Sequence, residues 1–239
     1  MIVAANFKTN LTRIETGEYL GELESLVGKL EENVEVRVFP ATSSLVVHRG
    51  EVVLGAQNAY PTKSGAFTGE IGLVHLEEFD IKSILIGHSE RRHILHETQV
   101  DVVKKFDFFK EQEFEIIYCI GEPLRVKEQG IEATLEYLRS QFEGIDTDYA
   151  KLIVAYEPVW AIGSGLTPTL EEIENVHKAL KTETGASLLY GGSVKVNNAR
   201  AIMELPSVDG VLVGSGALKV EDFFAMIQVA REIELKNKN

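Results

Sequence analysis

The chain is patterned by short apolar runs rich in Val and Ile, each followed by Gly, Pro or small polar residues. Apolar residues at consecutive rather than alternating positions predict strands buried on both faces, as in a parallel sheet. Such runs fall at residues 2–6, 36–39, 52–57, 83–87, 115–120, 152–156, 187–190 and 211–213, eight in all. Between them the apolar period becomes that of a helix. In 15–32, Tyr19, Leu20, Leu23, Leu26, Val27 and Leu30 recur at three- and four-residue spacing and mark one face. Thr169 and Glu172 fit a capping box ahead of Ile173, Val176 and Leu180, and Gly185 is placed to cap that helix at its far end. Helices are also expected over 98–112, 131–142, 197–205 and 220–235, with a shorter one over 43–50.

Strand and helix alternate to the end of the chain with no Pro- or Ser-rich linker and no shift of composition, so residues 1–239 read as one domain. Eight βα units in this length fit a (β/α)8 barrel, which runs to about 250 residues. A doubly wound sheet is the competing arrangement, and neither fold names a function.

Composition narrows the partners. With 44% hydrophobic and 26% charged residues the chain has enough apolar surface to fold. Its formal charge of −13 argues against nucleic acid or an anionic membrane as partner, and it requires that any anionic ligand be attracted locally. The N-terminal apolar stretch is too short for a signal sequence, and no run approaches the 18 apolar residues of a membrane span. One cysteine, Cys119, cannot form an intramolecular disulfide, which suits a reducing cytoplasm.

In a parallel α/β barrel the loops after the strand C-termini build the site. Polar residues collect there: Asn6 and Lys8 after the first run, His88 to Arg92 after the fourth, Glu157 after the sixth, Gly191, Gly192 and Ser193 after the seventh, and Gly214, Ser215 and Gly216 after the eighth. Glu157, flanked by Tyr156, Val159, Trp160 and Ile162, stands where burial would raise its pKa, as suits a base that takes a proton from carbon. The plainer alternative is a rim carboxylate paired with an Arg. His88, at the start of a short polar segment, is expected to be a neutral imidazole and a hydrogen-bond donor, although a single His is more often structural. His48, His75, His93, His96 and His177 read as structural or surface residues, and with no metal-ligand spacing among the histidines, no metal is expected. The two glycine clusters fit main-chain phosphate binding near helix starts. Neither nucleotide-binding glycine motif occurs, so a small phosphorylated metabolite fits better than a nucleotide, and no cofactor is expected. Lys8 is either a solvated surface group or the local positive charge that such a ligand needs.

The strings Tyr156-Glu157-Pro158-Val159-Trp160-Ala161-Ile162-Gly163 and Gly87-His88-Ser89-Glu90-Arg91-Arg92 resemble the catalytic glutamate with its lid, and the catalytic histidine segment, of the triosephosphate isomerase family. Gly65-Ala66-Phe67-Thr68-Gly69-Glu70, Cys119-Ile120-Gly121-Glu122 and Tyr190-Gly191-Gly192-Ser193 match further motifs in the family's order, and the resemblance covers essentially the whole chain. It implies a TIM barrel and the interconversion of dihydroxyacetone phosphate and D-glyceraldehyde 3-phosphate through an enediolate, in glycolysis and gluconeogenesis. By the same resemblance Glu157 is the base and His88 polarises the carbonyl. Lys8 and Asn6 stabilise the anionic transition state and help to hold the substrate, and Gly163, Ser193, Gly214 and Ser215 grip its phosphate. Ser89 would hold the glutamate when the lid is open, Glu90 would orient Lys8, and Cys119 would pack near the glutamate.

The loop 60–72 is long for an α/β connection. In the family such a loop inserts into a partner subunit beside the first-strand loop, here Thr9 and Asn10, which implies an isologous homodimer. Three positions depart from the family pattern. Phe7 stands where Trp is usual, Pro168 lies in the far hinge of the lid, and Ser215 replaces a glycine, an exchange that would strain the backbone if that position needed positive φ. Two other readings are a non-catalytic barrel that binds phosphometabolites, which the last two departures would favour, and an enzyme acting on a larger phosphosugar.

Overall fold

The computed structural model describes residues 1–30, 34–162 and 166–238. The eight expected runs form β1 (Ile2–Asn6), β2 (Glu35–Phe39), β3 (Val53–Leu54), β4 (Ser83–Ile86), β5 (Glu115–Ile120), β6 (Leu152–Tyr156), β7 (Ser187–Tyr190) and β8 (Gly210–Val213). They make one parallel sheet in the order β3-β2-β1-β8-β7-β6-β5-β4. Its two ends meet at the bridge from Ala56 to Ile84, where the Ala56 N–H donates to Ser83 O and the Leu85 N–H to Ala56 O, each at 2.9 Å. The sheet is therefore a (β/α)8 barrel rather than a doubly wound layer. That closure also explains why β3 is shorter than the expected 52–57. The Gly55 N–H still bonds Val38 of β2, whereas Ala56 has already turned to β4.

The strands are apolar on both faces because each face packs against something different. Ile2, Ala4, Phe39, Leu85, Ile117, Cys119, Ile153, Ala155, Leu189 and Leu212 point inward and fill the barrel. Their neighbours, such as Val3, Val38, Ile84, Tyr118, Val154 and Val211, point outward into the larger core beneath the helices.

The helices are α1 (Arg13–Val27), α2 (Leu73–Glu78), α3 (Ser89–His93), α4 (Gln99–Glu111), α5 (Leu124–Lys127), α6 (Ile131–Ser140), α7 (Leu170–Leu180), α8 (Val196–Met203) and α9 (Val220–Asn237). Reciprocal capping boxes start three of them: Thr12 with Glu15, Thr98 with Asp101, and Thr169 with Glu172. α1 buries Tyr19, Leu20, Leu23 and Val27 on the expected face but stops at Gly28, short of residue 32. Among the described residues no helix is long and apolar enough to cross a membrane.

Two helix expectations fail. Over 43–50 there is only a 3-10 turn, Thr42–Ser44. The chain that follows takes its backbone bonds from α1 instead, since the Glu24 carboxylate accepts the N–H groups of Glu51 (2.6 Å) and Val52 (3.2 Å). Gly185 does not cap α7, which ends in right-handed geometry at Lys181, after which Thr182 and Thr184 carry the turn.

Candidate active site

Lys8 follows β1 in a left-handed conformation, φ 51°, which a non-glycine residue adopts only when its surroundings hold it there. Several bonds do so. The Lys8 N–H donates to Asn6 Oδ1 (2.9 Å), and Gln57 Nε2 donates to Lys8 O (2.8 Å) and to Phe39 O (2.9 Å). Phe7, buried edge-on to Tyr19 with centroids 4.8 Å apart, anchors the turn from the other side. The Lys8 ammonium then reaches Glu90 Oε1 at 2.5 Å.

Glu157 leaves β6 with 2% of its surface exposed. Its placement depends on two glycines. A Cβ on Gly121 would lie 1.8 Å from Glu157 O, and one on Gly191 would lie 2.8 Å from Glu157 Cγ. The carboxylate meets His88 Nε2 at 3.2 Å through Oε1, and Oε2 accepts the Ser89 N–H at 3.1 Å. His88 Nδ1 accepts the Glu90 N–H at 3.2 Å, so the ring proton lies on Nε2, facing the carboxylate.

These contacts reverse two expectations. Burial alone would raise the Glu157 pKa, but the His88 charge and hydrogen bond, the Ser89 N–H and Lys8 outweigh it and hold the carboxyl below its ordinary range. Burial alone would lower the His88 pKa, but Glu157, aided by Glu90, raises it. Carboxylate and imidazole thus steady one another in direct contact.

Their cavity, about 400 Å³, is also lined by Asn6, Lys8, Ile162, Ser193, Lys195, Leu212, Gly214 and Ser215. Ser193 is fixed by Asn198, whose Nδ2 donates to Ser193 O at 2.9 Å. Ser215 opens the 3-10 turn Ser215–Ala217 and is not among the residues with positive φ, so replacing a glycine there carries no backbone strain. A Cβ on Gly214 would sit 3.4 Å from Lys8 Cε, which puts the β8 loop directly against the lysine.

The fold therefore gathers Asn6, Lys8, His88, Glu157, Ser193, Gly214 and Ser215 around one space, with Ser89 and Glu90 bonded to its rim groups. Gly163 lies outside the described residues. Cys119 is buried inside the barrel, where burial, reinforced by Glu157, pushes its thiol well above the usual range. The sequence reading missed three contributors. Gln57 supports the Lys8 turn, although a Gln at a strand end carries no signal of its own. Glu122 accepts Trp160 Nε1 (2.7 Å) and the Tyr156 hydroxyl (3.2 Å), so the motif Cys119-Ile120-Gly121-Glu122 ties down the segment on either side of Glu157. Lys195 lines the cavity one turn beyond the glycine cluster.

The fold and the site together define a class: a barrel protein that confronts a buried carboxylate and an imidazole with a lysine, beneath small-residue loops at the strand C-termini. Comparison with known proteins makes this more specific. The family model described as triosephosphate isomerase matches residues 1–230. A protein named triosephosphate isomerase from Sulfurimonas denitrificans is 58% identical over 238 residues, covering 100% of this chain and 99% of its own. Those from Sulfurovum sp. (56%; 95% and 99%) and Helicobacter hepaticus (48%; 96% and 99%) carry the same name. The chain belongs to the triosephosphate isomerase family.

Proposed function

We propose that Glu157, His88 and Lys8 carry out the isomerisation that family membership assigns to this chain, the interconversion of dihydroxyacetone phosphate and D-glyceraldehyde 3-phosphate in glycolysis. The observation that carries the assignment is the 3.2 Å approach of Glu157 Oε1 to His88 Nε2 in a cavity that Lys8 also lines. A carboxylate base and an N–H donor converge on a space the size of a triose. With substrate between them, Glu157 takes a proton from C1 of the ketose and returns it to C2. Nε2–H turns from the carboxylate to the carbonyl oxygens, where negative charge develops. Spacing the carboxylate from the ring removes the main influence that raises the His88 pKa. Burial and Lys8 then favour the neutral imidazole. Lys8 lies on the same side as that developing charge, pre-oriented by Glu90, and Asn6 holds its backbone.

The phosphate rests on main-chain N–H groups of Ser193, Gly214 and Ser215, with Gly163 of the lid as a fourth donor. Unstrained backbone at Ser215 supports this, and with it a catalytic rather than a merely binding barrel. A coupled assay with glyceraldehyde 3-phosphate tests the reading. Turnover by the unaltered protein that is lost in Glu157→Asp supports it, and normal turnover in that variant removes Glu157 from the role.

The working unit is a homodimer of single-domain chains, 1–239, in the cytoplasm. Loop 60–72 is closed at its base by Tyr60 N–H to Ile71 O and Leu73 N–H to Thr62 O, each 2.9 Å, and Tyr60 stacks on Phe67 with centroids 4.2 Å apart. Phe67 is nonetheless 42% exposed, and Val47, Ile94 and Leu95, in the connections after the adjoining strands β2 and β4, are more exposed still. Large apolar side chains gathered on neighbouring loops fit a protein interface. Sedimentation showing a fully active monomer would overturn the dimer, cell fractionation tests the compartment, and limited proteolysis that releases a stable fragment would break the single domain.

A further inference from the structure

The charge of −13 leaves a dianionic substrate to be attracted by local groups alone. Among the described residues the lysines lining the cavity are Lys8 and Lys195. Lys8 is already paired with Glu90 at 2.5 Å, and Glu157 contributes a further negative charge to the floor. With Lys195 these four groups balance; without it they sum to a net negative charge, to which Asp222, in a recess that Lys195 also lines, adds. Lys195 is exposed and, among the described residues, has no acidic group within ion-pair distance. Its backbone is fixed independently of its side chain. The Lys195 N–H donates to Asn198 Oδ1 at 2.8 Å, and the same Asn198 holds Ser193 O. The residue also lines a shallow recess with Ser215, Gly216 and Asp222, beside the β8 loop.

We propose that Lys195 is the substrate-capturing cation of this enzyme, an ammonium at the cavity mouth that draws the phosphate toward Ser193, Gly214 and Ser215. The inference rests on the reading that these loops hold the phosphate. Lys195 does not touch the reacting carbons, so its effect falls on kcat/KM and phosphate affinity, with little change in kcat. A solvated charge acts over about 10 Å at 0.1 M salt and much less at 1 M, so the effect fades with ionic strength.

The test uses the full-length enzyme with steady-state kinetics at several salt concentrations and inorganic phosphate as a competitive probe. At low salt, Lys195→Met should lower kcat/KM and weaken phosphate inhibition by about three- to tenfold, up to the low end of what electrostatic steering supplies. Lys195→Glu should do more, Lys195→Arg should restore the wild-type values, and all four proteins should converge at high salt. Equal phosphate inhibition of the wild type and Lys195→Met overturns the proposal and leaves the phosphate loops standing. Failure of phosphate to compete with substrate in the wild type overturns the reading of the loops themselves. A loss in Lys195→Met that persists unchanged at high salt, or that falls mainly on kcat, also overturns the capture role.

Discussion

Each end of the barrel carries a buried charged cluster, and the two are connected on opposite principles. Toward the strand N-termini, Arg37 of β2 clasps Glu115 of β5 with two nitrogens, Nε at 2.6 Å and Nη2 closer still, and Nη2 also meets Glu35 at 2.9 Å. Ser83 of β4 bonds the same Glu115 at 3.1 Å. Burial presses the Arg37 pKa down, but the two carboxylates more than offset this and hold it above its ordinary value. A guanidinium does not release its proton at any accessible pH, so this cluster can only hold strands together. At the other end Glu157 and His88 face one another and Lys8 meets Glu90. Each makes one or two contacts that a substrate oxygen could replace. Ionic clusters at two ends of one sheet thus differ because one is centred on a guanidinium that keeps its charge and the other on groups whose contacts can be exchanged.

The sharpest break of this comparison lies at Glu157. Shortening it by one methylene in Glu157→Asp should lower kcat by about 10²–10³-fold with little change in KM, because an error of about 1 Å already costs about 10²-fold in proton transfer. Unfolding midpoints should hardly move. Lys8→Ala comes next: kcat/KM should fall by about 10²-fold or more, although the net charge changes by one unit. Near-normal activity there would overturn the electrostatic argument for the upper cluster.

The lower cluster should respond the other way round. Arg37→Met strands Glu115 against the barrel floor and should destabilise the fold by about 3 kcal/mol, the low end for breaking a buried pair. The low end applies because the Glu115 side chain is 26% exposed, and because Arg37 Nη1 has no bond among the described residues and its removal relieves an unsatisfied donor. Denaturant unfolding at fixed protein concentration measures the first effect, and kcat, expected to stay within twofold, measures the separation. Loss of kcat at intact stability would mean that the two ends are coupled and the contrast is false.

What the sequence revealed follows the same division. That Glu157, His88 and Lys8 share one cavity is readable because each stands just past an apolar run, at the end of a barrel where sites are built, and because the surrounding strings are specific. Arg37 is not. It interrupts the run Val36-Arg37-Val38, and the Glu115 that makes it tolerable belongs to a strand across the barrel. The same distance effect inverted the pKa expectations. Flanking apolar residues around Glu157 are visible locally, whereas the imidazole that lowers its pKa comes from another strand. Gly191 and Gly192 were read as phosphate-binding backbone. Their further constraint is steric and not legible locally: a Cβ on Gly191 would crowd Glu157, and one on Gly192 would lie 2.2 Å from the Tyr190 hydroxyl. Where a helix over 43–50 is expected, the chain is instead held at His48, Glu51 and Val52 by the Glu24 carboxylate of α1, which no local pattern could announce.

The smallest expected effect comes from His177 of α7, a buried titratable group at neither end. It sits between the rings of Tyr156 and Tyr190, with centroids 5.8 and 6.3 Å away. Nδ1 lies 3.2 Å from Ser207 O and so carries the proton of the neutral ring, while Nε2 has no partner among the described residues. Protonation would place a second N–H, and a charge, where nothing accepts it. Burial accordingly lowers the His177 pKa to about 4. Because the folded value lies below the unfolded one of about 6.5, the unfolded chain binds more protons between these limits. Stability is then complete above pH 6.5 and declines as pH falls toward 4. At pH 5 the loss should be about 2 kcal/mol relative to pH 7, from 1.36 kcal/mol per pH unit. His177→Gln keeps a donor for Ser207 but cannot titrate, so its unfolding free energy should fall less over the same interval. Parallel declines in the two proteins would show that His177 is already paired in the folded state, and would return the acid sensitivity of this barrel to the carboxylates of its two ends.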